Sequence, residues 1–281
     1  MKWYDKYLVW YNKPIDSVGQ DVINSIRNAI PNTIDEPLVS VILIAHNEGE
    51  HLVSCIWSLL ENKCNFPIEI FAVNNNSTDN TEDVLKKLGI NYYNEVQKGP
   101  GYARQCGLDH ARGKYHLCID SDTMYPPYYI ATHVKELMRP GVVCTYSLWS
   151  FIPDDSHSKF ALWLYELLRD FYLYFQNVKR PELCVRGMSF GFNTDIARGI
   201  GFRKDIIRGE DGSLALAMKA FGRLVLIKSR KARVLTGNNT LDSKGSIFNN
   251  ALLRLVKALK SFTGLFYSKN KYEDKDDNLL K

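Results

Sequence analysis

The run "LVSVILIA" (38–45) limits what this chain can become more than any other stretch. Eight residues without a charge, four of them β-branched, show no alternation of apolar and polar, so both faces of the strand they form must be covered. Three further strand patterns come after it, "IEIFAVN" (68–74), "INYYNEV" (90–96) and "KYHLCID" (114–120). Helical patterns separate them, at about 50–60, at 77–89 with Gly89 as a stop, and at 101–113 with Gly113 as a stop. Strands and helices alternating at this length predict right-handed βαβ crossovers and an α/β fold with a mostly parallel sheet flanked by helices. Ligands of such sheets gather at the carboxyl ends of the strands.

The polar clusters lie at those ends. "HNE" comes after the first strand, "NNNSTDNT" closes the second, and "DSD" closes the fourth. One cluster alone would read as a solvated turn, whereas three from successive units converge on one crevice. Asp120 and Asp122, one residue apart, repel unless something compensates them, and a hard divalent cation held partly by a ligand's phosphates would do so. A solvated turn, with Asp122 as a helix cap before "TMYPP", is the plain alternative. Thr78 and Asp79 read equally well as capping residues. Lys98 and the glycine-rich "GPGYAR" behind it suit an anion at a helix start, while Arg104 reads either as part of that site or as a surface residue.

The flanks are less patterned. Residues 1–36 read as an N-terminal extension with a helix near 17–30 stopped by Pro31, and 37–240 as the α/β domain. Residues 241–281 read as a basic amphipathic helix near 246–267 and a charge-dense tail. Within the domain, "GVVCTYSLW" is a further strand and 160–178 a long aromatic-rich helix, whose Glu166, Arg169 and Asp170 rule out a simple membrane span. "RGEDGSLALAMKAFGRLVLI" is a helix running into a strand. The net charge of +5 does not demand a nucleic-acid partner, and no interleaved basic–aromatic patch appears. Six scattered cysteines without a C-x-x-C pair argue against zinc and for a reducing compartment. With no signal peptide and no run of about 18 apolar residues, a cytoplasmic protein is expected, with contact at the inner membrane face and homodimerisation both open.

Taken in order, "ILIAHNE", "VNNNSTDNT", "KGPGYARQCGLDHARGKY", "CIDSD" and "GEDGSLALAMKAFGR" resemble the family 2 glycosyltransferases, inverting enzymes of the GT-A fold, over roughly residues 38–236. The resemblance implies a nucleotide-sugar donor, UDP-linked, bound across the strand ends by Ala45, His46, Glu48, Asn74, Asn75, Lys98, Arg104 and Asp120. It implies Mg²⁺ or Mn²⁺ at Asp122 and Asp120. Asp211 would be the catalytic base, with Glu210 beside it, because the acceptor hydroxyl must lose its proton as it attacks. The acceptor would be a glycan or a lipid-linked sugar; the small residues and backbone amides of "RGMSFGFN" (186–193), near Gly187 and Met188, read equally well as the floor of its site or as a packed strand with turn glycines. Two features depart from the family pattern. Asparagines stand at 74 and 75 where aspartates are frequent, and no histidine comes after His157, where a late histidine ligand is often found.

Two other readings compete. A nucleotidyltransferase also joins such a sheet to metal-binding acids, but the glycine-rich phosphate loop expected after the first strand is replaced here by "AHNEGEH". A non-catalytic protein that kept the fold would bind the donor and be indifferent to loss of Asp211.

Overall fold

A computed structural model describes residues 2–31, 35–153, 159–238 and 278. The expected helix at 246–267, the charged tail apart from Asn278, and His157 lie outside the described residues. Two short N-terminal helices, α1 (Asp5–Leu8) and α2 (Gln20–Asn28), precede the first strand, β1 (Val39–Ala45). β1 is buried on both faces, as its composition requires. Val39, Val41, Leu43 and Ala45 join the main core, while Ile42 turns the other way, to Phe71, Val73 and Ala103.

The alternation then runs as expected: α3 (Leu52–Leu60), β2 (Ile68–Asn75), α4 (Thr81–Leu88), β3 (Tyr92–Glu95), α5 (Pro100–His110) and β4 (Tyr115–Asp120). Beyond β4 come β5 (Thr123–Met124), α6 (Tyr129–Leu137), β6 (Val142–Ser147), β7 (Trp149–Phe151) and the long α7 (Lys159–Lys179). The described domain closes with β8 (Phe190–Asn193), α8 (Thr194–Ile200), α9 (Glu210–Met218), β9 (Arg223–Ile227) and β10 (Val234–Thr236).

Seven strands form the main sheet in the order β3-β2-β1-β4-β8-β6-β9. All its pairings are parallel except those of β8, which runs against both β4 and β6. A second sheet, β5-β10-β7, has no counterpart in the sequence pattern; its strands have two or three residues each, too short for one. Register sets the site. Ala45 pairs with Asn74 and Ile44 with Asp120, so the carboxyl ends of β1, β2 and β4 finish level.

Two boundaries differ from expectation. The helix near 17–30 begins only at Gln20, because Ile15–Ser17 forms a separate 3-10 turn and Gly19 is extended. Gly89 does stop α4, in the left-handed region at φ 76°. Gly113 does not stop α5, which ends at His110. It lies instead against β1, where a Cβ would stand 2.6 Å from the Ser40 nitrogen.

The N-terminal extension packs into this body. Ile15, Val18, Val22, Ile23 and Ile26 belong to the main core, and Tyr7 is buried with its hydroxyl donating to Glu61 at 2.7 Å. The six cysteines are free.

Candidate active site

The strand ends open into a cleft of about 350 Å³, within the range of small-molecule sites. Ala45, His46, Glu48, Asn75, Lys98, Arg104, Asp120, Asp122, Glu210 and Asp211 all line it. Asn74, Gly187 and Met188 do not. Five of the lining side chains are carboxyl groups and two, Lys98 and Arg104, are basic.

Arg104 organises the acids. It is 3% exposed, so it is no surface residue. One Nη donates to the Ile119 carbonyl at 3.2 Å, the other to Asp120 Oδ1, and Nε lies 3.4 Å from Asp211 Oδ1. Burial opposes its charge, but Asp120 and Asp211 more than restore it and hold its pKa above the ordinary value. The two acids of "DSD" therefore differ. Asp120 is paired with Arg104, whereas Asp122 has no cation against it among the described residues, and burial, Asp120 and Glu48 push it up to about 6. Its Oδ1 accepts from the Thr123 hydroxyl at 3.0 Å.

Glu210 and Asp211 start α9 behind Gly209, which is left-handed at φ 101°, so the acids face the positive end of the helix. Burial raises both above their ordinary values. Repulsion from Asp211 lifts Glu210 further, to about 8, while Arg104 acts to lower both. Gly187 backs this pair: a Cβ there would stand 2.0 Å from Arg104 Nη2 and 2.6 Å from Asp211 Oδ2. The Met188 carbonyl accepts from Tyr125, whose hydroxyl also accepts from the Asp120 amide, both at 3.0 Å. Tyr125 thus ties the end of β4 to the turn carrying Gly187.

The asparagine-rich turn is mostly self-satisfied. Asn75 donates to the Glu95 and Gln97 carbonyls and accepts from the Gly99 amide, shaping the loop that carries Lys98. Asn74 donates to Asn94 at 2.8 Å, and its buried Oδ1 makes no hydrogen bond within the described chain. Asn47, with φ 57°, accepts from the Thr78 and Asp79 amides, and Asp79 accepts from Thr81 and Gly49, so turn-building describes 77–81 best. His46 Nδ1 lies 2.7 Å from the Asn75 carbonyl and must donate to it, which fixes the ring against the end of β2.

Sequence reasoning missed the wall beside Asp122. Tyr11 donates to the Asp122 carbonyl at 3.2 Å, and its ring lies tilted against His51 at 4.6 Å. His51 bonds Glu48 through Nδ1 and the Asn12 side-chain oxygen through Nε2, so both ring nitrogens face oxygen atoms. Burial lowers its pKa, but Glu48 and Asp122 outweigh that and raise it. Thr236 reaches Asp122 from the far end of the domain at 3.4 Å. No spacing rule links residues 11, 51, 122 and 236.

These residues fit a hard cation bound in part by its ligand. The donors beside Asp122 are oxygens, and the raised Asp122 carboxyl marks negative charge that the chain leaves uncompensated. Among the described residues, no three histidine, cysteine, aspartate or glutamate side chains converge into a complete metal cage. The protein would therefore supply one or two ligands, with water and a diphosphate completing the set.

A mostly parallel sheet with an acidic cleft at its carboxyl edge is the architecture of the GT-A fold. The sequence matches the family described as Glycosyl transferase family 2 over residues 40–201, and the chain belongs to that family. An uncharacterized glycosyltransferase of Rickettsia prowazekii is 32% identical over 136 residues, covering 46% of this chain and 42% of that protein. WfaP of Escherichia coli, a UDP-Glc:alpha-D-GlcNAc-diphosphoundecaprenol beta-1,3-glucosyltransferase, is 31% identical over 114 residues, covering 39% and 45%. The chain thus spans less than half the length of these relatives. The mannosyltransferase PcManGT of Pyrobaculum calidifontis, solved with GDP-Man and Mn²⁺, shares the fold at a TM-score of 0.56 and 21% identity, over 83% of this chain and 63% of that one.

Proposed function

We propose that the protein transfers a hexosyl group from a nucleoside-diphosphate sugar, UDP-linked, to a hydroxyl of a glycan or lipid-linked acceptor, with inversion. The observation that carries this reading is the Arg104 link, which joins Asp120 at the end of β4 to Asp211 at the start of α9 through one buried guanidinium. The donor lies over the strand ends, with Ala45, His46, Glu48, Asn75 and Lys98 around its nucleotide and diphosphate. Asn74 stands behind them in this reading.

Asp211 takes the proton as the acceptor oxygen attacks the anomeric carbon. The bond from that carbon to the diphosphate oxygen breaks, and its electron pair leaves with the nucleoside diphosphate. Arg104 favours the ionised form of Asp211 against the burial that would neutralise it. Glu210 beside it contacts the acceptor, and Gly187 and Met188 border the acceptor's approach. Bound at Asp122, with Asp120 adjacent, Mg²⁺ or Mn²⁺ would neutralise charge on the leaving diphosphate. Support comes from the family, from the UDP-glucose named for WfaP and from the Mn²⁺ bound by PcManGT.

The test is calorimetric binding of UDP, GDP, CDP and dTDP, with and without Mn²⁺, beside turnover of Asp211→Asn. The expected result is metal-dependent binding of UDP, lost in Asp122→Ala and retained in Asp211→Asn, whose turnover falls by roughly 10²–10⁴. Undiminished turnover in Asp211→Asn removes the base; failure of every nucleotide to bind removes the donor reading.

A further inference from the structure

Helix α7 is apolar on both sides: Leu162, Tyr165 and Leu173 are buried in the main core, and a second apolar row faces outward. Phe160, Trp163, Leu167, Phe171 and Val178 are between 51% and 79% exposed. They succeed one another in steps that keep one side of a straight helix. Phe160 meets Trp163, and Phe171 meets Phe175, in ring contacts along the same row. The charges point the other way. Glu166 accepts from the Phe151 amide and the Ser150 hydroxyl, both at 2.8 Å, and Arg233 binds Glu166 at 3.3 Å and Asp170 at 2.6 Å. Arg169 is buried over the Trp149 ring at 4.2 Å and pairs with Asp170. A surface helix ordinarily keeps its outer face polar.

We propose that this outward face seats the protein on an anionic lipid surface. With both acids turned inward, Lys159 and Lys179, at the two ends, are the exposed charged side chains of the helix. Exposed Lys228 adds a third cation, its ammonium 4.8 Å from the Tyr174 ring on the flank. Large aromatic and aliphatic groups in a straight row of about 30 Å, bracketed by lysines, match the acyl boundary of a bilayer below its anionic headgroups. A second copy of the chain suits the face less well. Parallel pairing of two such rows sets Lys159 against Lys159, and antiparallel pairing sets Lys159 against Lys179, like charges either way. No described helix is long and apolar enough to cross a membrane, so the contact lies in the interface plane. The inference concerns a surface apart from the cleft and stands whether or not the donor reading holds.

The experiment is co-sedimentation of the full chain with vesicles of phosphatidylcholine alone and of equal phosphatidylglycerol and phosphatidylcholine, with oligomeric state measured by light scattering. Wild type is expected to sediment with the anionic vesicles and to be released by salt. Trp163→Ser with Phe171→Ser, neutral changes at exposed positions, is expected to cut the bound fraction at least tenfold while melting and nucleotide binding stay unchanged. Should that pair lose its fold, Leu167→Gln alone is expected to weaken partition several-fold. The proposal is overturned if wild type stays in the supernatant, or if the double variant binds as wild type, which assigns lipid contact to another part of the chain. It is equally overturned if wild type is a dimer without lipid and the variant a monomer, which gives the face to a second copy.

Discussion

Arg104 Nε lies 3.4 Å from Asp211 Oδ1, and neither buried atom makes a hydrogen bond within the described chain. They face each other as charges, so the protonation of Asp211 depends on Arg104. Arg104→Met is expected to move the acidic limb of the kcat/KM profile to higher pH, because the cation that lowers the Asp211 pKa is gone. It also strands Asp120 and Asp211, at a stability cost of about 3–5 kcal/mol. Arg104→Lys keeps the charge without the fork and should restore part of the stability but little of the rate. A pH–rate series with thermal melts on both variants reads each effect.

Asp122 makes the cation-free protein sensitive to pH. Its folded pKa, raised to about 6, lies above the ordinary 3.8. Stability is therefore full below the ordinary value and is lost as pH rises through the folded one, by about 3 kcal/mol at most. Asp122→Asn is expected to melt above wild type at neutral pH, with the gap closing on acidification. Mn²⁺ should raise the wild-type melting temperature at neutral pH and do little below about pH 5, inside that window. Calorimetric scans in chelator and in Mn²⁺ check both.

His51 works through a cation rather than a carboxylate. Its pKa is raised by Glu48, so its contribution is complete below the ordinary 6.5 and is lost as pH rises through its higher folded value. Amide exchange in α1 and at Tyr11 is expected to quicken on that rise. His51→Gln should abolish the pH dependence while leaving exchange in β1 unchanged.

Gly187→Ala places a methyl where the Arg104 fork sits, 2.0 Å from Nη2. The arginine must shift, and with it both acids. Turnover is expected to fall at least about tenfold, since small misplacements at a reacting centre are costly. Melting should change less than in Arg104→Met, because no charge is removed.

Most of the first half of the sheet was legible in the sequence. β1, β2 and β4 announce themselves as apolar runs, and a strand buried on two faces has no other composition. The antiparallel β8 was not, since "FGFN" carries no mark of direction. Cleft residues at strand ends were legible by the same logic, but what they do to one another was not. Arg104 sits mid-helix with nothing local to say that it is buried; its partners lie 16 and 107 positions along the chain. In α7 the period revealed a helix of the expected length, yet the period of apolar residues does not say which side faces the core. The inward turn of its acids rests on Arg233 and on the Ser150 hydroxyl and Phe151 amide of β7, which claim them from inside.

The joining of Tyr11 and Thr236 at Asp122 has a consequence for biosynthesis. Those contacts span 111 and 114 positions on either side of one aspartate, and pairings that distant form late and slowly. Most of the sheet can fold while the ribosome is still adding residues, but the wall of the cleft waits for the strand that brings Thr236. A nascent chain released early would hold a sheet and no finished pocket. The same waiting puts Asp122, a poorly compensated charge, in water until the moment its neighbours arrive, so the chain folds most of its length before it must bury that carboxylate.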